Sequence, residues 1–211
     1  MYRKRLVLCI AGVILSGVAV SFFKSAVFGV DPFQAFMSGL DALIPIRYGT
    51  LYVIVNAVLL LFSIVFDRSR IGLGTLINLF FLGYVVQFGV DVIAGLVPDP
   101  SLPLRIAYLL TGVAVACAAA SMYFTANMGV STYDAIALII TETWGVGKFR
   151  YVRIMTDFSC VALGVALFLL SGEDAGGLAA VVGIGTIISA FMMGPMIDWF
   201  SVHVFGPMVE R

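Results

Sequence analysis

Six long apolar stretches constrain this chain more than any other feature: Leu6–Val27, Gly49–Phe66, Ile71–Leu96, Leu104–Met128, Tyr151–Leu170 and Leu178–Phe205. A helix rises about 1.5 Å per residue, so roughly 20 apolar residues cross a hydrocarbon layer of about 30 Å. Each stretch is long enough once ragged ends are allowed. The chain is 62% hydrophobic and 11% charged, far from a soluble domain with roughly half apolar and a quarter charged residues. That composition excludes a water-soluble globule, a disordered chain and a nucleic-acid binder. Twelve basic and twelve acidic side chains cancel, so no net field selects an anionic partner. The lipid bilayer is the first partner the sequence implies.

Between the stretches lie Asp67–Arg70, Val97–Pro103 and Ser171–Gly177, each a turn by composition. Two further segments, Asp31–Ile44 and Ser131–Thr143, are helical in pattern but, at fourteen and thirteen residues, cover only about 21 Å or less. With a cytoplasmic start, Arg3, Lys4, Arg5, Arg68, Arg70, Lys148, Arg150, Arg153 and Arg211 fall inside and Lys24, Arg47 and Arg105 outside. This bias places both termini in the cytoplasm. Counting the short segments as spans gives the same ratio, so length, not charge, favours six spans over eight. The basic start and the uncharged run to Phe23 read as a retained first helix rather than a cleaved leader. Cys9, Cys117 and Cys160 sit inside apolar runs without a CxxC pair and read as small hydrophobes.

The chain repeats itself. A slide of 100 residues pairs Gly12–Ala35 with Gly112–Ala135, with eight identities in 24 positions, among them Gly29/Gly129 and Val30/Val130. A slide of 111 pairs Gly72-Leu-Gly-Thr75 with Gly183-Ile-Gly-Thr186, and Gly83 with Gly194. The expected architecture is therefore all-α: one polytopic membrane domain over residues 1–211, with repeats at approximately 6–96 and 104–205. Three spans per repeat is an odd number, which turns the second copy upside down relative to the first. Inverted repeats of this kind are a common transporter design.

Each short segment follows a Gly-Val pair and opens on a capping pattern, Asp31-Pro-Phe-Gln34 in one half and Ser131-Thr-Tyr-Asp134 in the other. Gly29 and Gly129 permit a sharp backbone turn ahead of each cap. Two placements stay open for these helices. They either re-enter the membrane as broken helices whose partly positive N-termini converge on a solute, or lie flat at the interfaces as amphipathic linkers.

The arrangement resembles the YczE/YyaS/YitT family of bacterial membrane proteins. The residues that carry the resemblance are Gly29-Val-Asp-Pro-Phe33, Gly72-Leu-Gly-Thr75 with Asn78 and Gly83, and the counterparts at Gly183–Gly194. The resemblance implies a multipass protein of the bacterial plasma membrane and brings no substrate or catalytic residues with it. In the second half Ser131-Thr132 replaces Asp31-Pro32, so the two helix starts need not be chemically equivalent.

Polar residues within the spans need a reason, because a charge at mid-bilayer costs about 2.5–3.5 kcal/mol. Asp157 lies four residues after Arg153, on the same face, as an intrahelical ion pair or a cavity carboxylate; its counterpart is approximately Asn56. Gln87 matches Asp198, and Asn78 matches Ser189, with an interhelical hydrogen bond expected for Asn78. Asp134 reads as a helix cap. The candidate cavity residues are Gly29, Asp31, Gln34, Asn56, Asn78, Gln87, Gly129, Ser131, Asp134, Arg153, Asp157 and Asp198. Small residues at spacing four, Gly12 with Ser16 and Ala116 with Ala120, predict close helix packing.

Three functional classes compete. The leading expectation is a small-solute transporter or permease with a central site between inverted repeats. The alternative is a substrate-capture or accessory subunit, similar to those of energy-coupling-factor importers, docking a partner membrane subunit or a second copy through its small-residue face. Ser131 and His203 superficially resemble a rhomboid-type dyad, but the repeat already explains Ser131 as a helix start, and no HExxH is present. The expectation is no enzyme, no cofactor and no metal.

Overall fold

The computed structural model describes residues 2–210, with the side chains of residues 149, 150, 175, 190–192, 194, 195, 198, 209 and 210 outside the description. The helices are α1 (Tyr2–Ala26), α2 (Pro32–Leu43), α3 (Tyr48–Asp67), α4 (Leu73–Leu96), α5 (Leu102–Ala126), α6 (Thr132–Leu138), α7 (Phe149–Leu170), α8 (Leu178–Val181), α9 (Ile184–Phe200) and α10 (Gly206–Glu210). A π turn, Ile139–Thr143, prolongs α6, and a second, Ser201–Phe205, joins α9 to α10. No strand occurs among the described residues. Among the described residues five segments are long and apolar enough to cross a membrane: α1, Tyr48–Arg70, α4, α5 and Tyr151–Leu170.

The expected sixth span, Leu178–Phe205, is not one continuous helix. It breaks at Val182–Gly183 into α8 and the 17-residue α9. The cause is a competing backbone partner: the Gly185 amide donates to the Phe28 carbonyl at 2.6 Å instead of continuing the α8 ladder.

The first half answers with the same device. The Gly74 amide donates to the Met128 carbonyl at 2.7 Å, and the Val130 amide to the Arg70 carbonyl at 3.3 Å. On the other side the Val30 amide donates to the Val181 carbonyl at 3.4 Å. Each Gly-Val turn is thus gripped by the Gly-x-Gly-Thr element of the opposite half. The Thr75 hydroxyl accepts from the Gly72 amide at 3.1 Å and donates to the Val130 carbonyl at 2.7 Å. Thr186 repeats the first of these bonds, accepting from the Gly183 amide at 3.2 Å. Gly29 and Gly129 lie at φ +91° and +108°, the left-handed region that favours glycine.

The central pair is α1 with α5. Gly12 faces the backbone of Ala119 and Tyr123, while Gly112 faces Ala19 and Phe22, so the two helices run antiparallel. The small-residue stripes pack within the molecule, as their spacing predicts. Helix α4 lies parallel to α1, with Gly74 at Cys9, Gly17 at Leu82 and Val85, and the Ser21 hydroxyl donating to the Val86 carbonyl at 3.1 Å. Helix α9 follows α5 in the same sense, with Gly185 at Leu109 and the Ser121 and Ser201 hydroxyls 2.8 Å apart. Gly49 against Tyr84 and Gly83 against Tyr52 make α3 antiparallel to α4.

At Gly129 an added Cβ would lie 2.6 Å from the Gly72 amide nitrogen, in a conformation that L residues rarely adopt. Gly129→Ala is expected to destabilise the fold by about 2 kcal/mol or more. Gly95→Ala, where no atom lies within 4 Å, should leave stability unchanged or slightly raised. Thermal unfolding in detergent compares the two.

Candidate functional site

Two short helices start deep in the bundle. The Asp31 side chain accepts from the Gln34 amide at 3.1 Å, with Pro32 at the first helical position of α2. Ser131 caps α6 in the same manner, accepting from the Asp134 amide at 3.1 Å, and its hydroxyl donates to Asp134 Oδ2 at 2.6 Å. The preceding helices end in left-handed residues, Val27 at φ 58° and Asn127 at φ 48°. Val27 is β-branched, a poor choice for that conformation. Arg105 from α5 supports it, donating to the Ala26 and Val27 carbonyls at 2.8 and 3.1 Å.

The two starts meet. Phe33 and Tyr133, each the second residue of its helix, stack with ring centroids 4.9 Å apart and 23° between planes. Tyr52 of α3 approaches Phe33 edge-on at 6.1 Å. Such pairs add about 0.5–1.5 kcal/mol beyond the area they bury.

A charged cluster surrounds the stack. Arg153 of α7 pairs with Asp134 and lies 3.2 Å from Asp157, and its guanidinium sits 4.5 Å over the Tyr133 ring. The Tyr133 hydroxyl donates to Asp157 at 2.6 Å. The Arg153–Asp157 ion pair expected within one helix is present, yet it belongs to a larger network reaching across to α6. Asp134 is consequently more than a cap. Among the described residues Asp31 takes part in no ion pair.

The uncharged candidates divide between this centre and the helix seams around it. Asn56 is fully buried; its amide donates to the Tyr52 carbonyl at 2.8 Å and its oxygen accepts from the Thr132 hydroxyl. Asn78 accepts from the Tyr52 hydroxyl at 3.1 Å, the interhelical bond expected of it. Gln34, 4% exposed, accepts from the Tyr48 hydroxyl. Gln87 lies apart from the centre: it accepts from the Gly49 amide at 3.1 Å and lines a small polar cavity of about 220 Å³ with Lys24, Asp41, Tyr48 and Asp91. The Asp198 side chain lies outside the described residues. Ser131 and His203 are engaged elsewhere, Ser131 with Asp134, and His203 stacked on Trp199 with Nδ1 3.0 Å from the Trp199 carbonyl.

Three features escaped the sequence reading. The aromatic cluster Phe33, Tyr48, Tyr52 and Tyr133 gave no signal, because aromatic residues are frequent throughout a membrane chain. The Lys24–Asp41 pair, 3.8 Å apart with Lys24 over the Tyr48 ring at 3.7 Å, joins groups distant in sequence. The third is an apolar cavity of about 400 Å³ between α2, α3, α6 and α7, with Phe33 and Tyr133 in its wall.

Long apolar helices around a buried polar centre define a multipass helical membrane protein. Over residues 3–202 the chain matches the family of unknown function DUF6198, and it belongs to that family. It is similar to the uncharacterized membrane protein YczE of Bacillus subtilis, with 25% identity over 185 residues, 87% of this chain and 79% of that protein. An uncharacterized protein of Haemophilus influenzae is 26% identical over 133 residues, 63% of this chain. The match spans only about half of that relative, 54% of its length. No solved structure matches the chain.

Replacing Arg153 by Met strips two carboxylates of their cation. The expected loss is about 1–3 kcal/mol, less than for a fully buried pair because these side chains stay 23–31% exposed. Tyr133→Phe removes one hydrogen bond and should cost about 1 kcal/mol. Adding Asp157→Asn to the Arg153 variant should recover part of its loss, read from the same unfolding curves as a double-mutant cycle.

Proposed function

We propose that this protein is a small-solute transporter of the bacterial plasma membrane, with the solute bound where α2 and α6 begin. The observation that carries this reading is the Phe33–Tyr133 stack, which brings two helix N-termini together inside the bundle, beside Asp31 and the Arg153 cluster. Unsatisfied backbone at membrane depth is tolerated only against protein or a watery cavity. Converging helix starts of this kind are how broken-helix transporters build a midplane site. The contacts favour re-entrant helices over interfacial linkers for the same reason.

Helix directions support the inverted arrangement. If α1 runs outward, α3 returns, α4 runs outward and α5 returns, by the contacts described above. Helix α7 runs with α2, since Asp157 lies at Tyr133 and Gly164 at Ala35 and Gly39. With α8 and α9 together as the sixth pass, both termini fall on one side and the halves are related by inversion. Rocking of one half against the other would then expose the site alternately. Each end of the bundle carries an ion pair that fits a closure: Lys24–Asp41 at one, and Arg70 with Glu142 and Asp67 at the other. The reading requires no cofactor and no covalent chemistry.

Purified protein in sealed vesicles should accumulate some member of a broad panel of labelled solutes above protein-free vesicles. Asp31→Asn keeps a good helix cap and should lower that uptake about tenfold or more. Uniformly flat uptake overturns the reading. In a cysteine-free background, Ser69→Cys should react with an impermeant maleimide on the side that holds the N-terminus. Labelling on the opposite side overturns the inverted topology.

A further inference from the structure

The 400 Å³ cavity and the charged centre meet at the Phe33–Tyr133 stack: both rings line the cavity, and the Tyr133 hydroxyl bonds to Asp157 of the centre. The cavity wall is apolar, formed by Phe36, Leu59, Ile136, Ile140, Val152 and Cys160, and its inner end is the Phe33–Tyr133 stack. Its outer end reaches the side of the bundle, where Met155 and Ser159 are exposed. Behind the stack Asp134 and Asp157 share one guanidinium, Arg153, while Asp31, two residues before Phe33, caps α2 without an ion pair. Among the described residues the centre therefore has more acid than base.

We infer that the ligand of this site is an amphipathic organic cation. Its apolar body occupies the groove between α2, α3, α6 and α7, and its charge faces Asp31 across the aromatic stack. Charge complementarity selects the sign: beyond the stack an anion would meet three carboxylates and one guanidinium, whereas a cation balances Asp31, which is in no ion pair among the described residues. The open side of the groove lets such a molecule enter from within the lipid layer, where amphipathic cations concentrate.

This inference rests on the solute site proposed above, and it is tested by binding rather than by transport. The protein is placed in zwitterionic nanodiscs with radiolabelled tetraphenylphosphonium, an apolar permanent cation. Saturable binding is expected, weakened about tenfold or more by Asp31→Asn, by Asp157→Asn and by Ser159→Trp, which fills the groove mouth. Asp99→Asn, in an exposed loop, should bind as the parent does. Location is read from Cys160, the cysteine that lines the groove while Cys9 and Cys117 are buried. Tetraphenylphosphonium should slow maleimide labelling of Cys160. Tetramethylammonium, which lacks the apolar body, and tetraphenylborate, of similar bulk and opposite charge, should not.

Absence of saturable binding overturns the inference, as does binding indifferent to both aspartate variants or to Cys160 labelling. Uptake of a different solute without tetraphenylphosphonium binding leaves the transporter reading standing and sinks the cation. Binding with flat uptake does the reverse.

Discussion

A backbone turn packed inside a helical bundle must find partners within the protein, and the rest of this structure depends on how that demand is met. The two Gly-Val turns expose amides and carbonyls between α1 and α2 and between α5 and α6. Both are satisfied by the other half of the molecule, through Gly72-Leu-Gly-Thr75 on one side and Gly183-Ile-Gly-Thr186 on the other. Glycine is required there because backbones meet directly; a side chain at Gly72 or Gly183 would strike the Met128 or Phe28 carbonyl. With the turns held, the short helices point inward, and their first side chains become the centre.

Electrostatics shapes that centre. A planar guanidinium engages two carboxylates at once and still lies flat on an aromatic ring, which a compact ammonium does less well. Arg153 uses all of these properties. The network ties α6 to α7, while the Asn56–Thr132 bond ties α6 to α3 and the Gln34–Tyr48 bond ties α2 to α3. The short helices are thereby fixed by polar contacts at their starts. Farther along α2, Gly39 and Gly164 permit backbone contact with α7.

Much of this was legible in the sequence. Five of the six expected spans appear with ends shifted by a few residues, and both short helices begin at their anticipated caps, because hydropathy and capping are local properties. The sixth breaks at Gly183 for a nonlocal reason: the Gly185 amide serves the Phe28 carbonyl, far away in the chain. The repeated Gly-x-Gly-Thr elements were visible, but not that each grips the turn of the opposite copy. Within the candidate site, spacing revealed Arg153–Asp157, whereas Asp134 and Tyr133 join it only through the crossing of α6 and α7. Gln87 marks the limit of reading repeats as sites, since its partner is the start of α3 and it lies outside the centre.

The exchange of turns between halves also bears on biosynthesis. Phe28 and Val30 leave the ribosome early, yet the groups that complete them, Gly185 and Val181, lie far later in the chain, in α9 and α8. Until those helices are made, the Phe28 carbonyl and the Val30 amide lack these partners. Contacts between such distant residues are slow to form and leave intermediates exposed. The first turn can therefore close only after α8 and α9 have been made, whereas the second is completed by Arg70 and Gly74, which precede it in the chain.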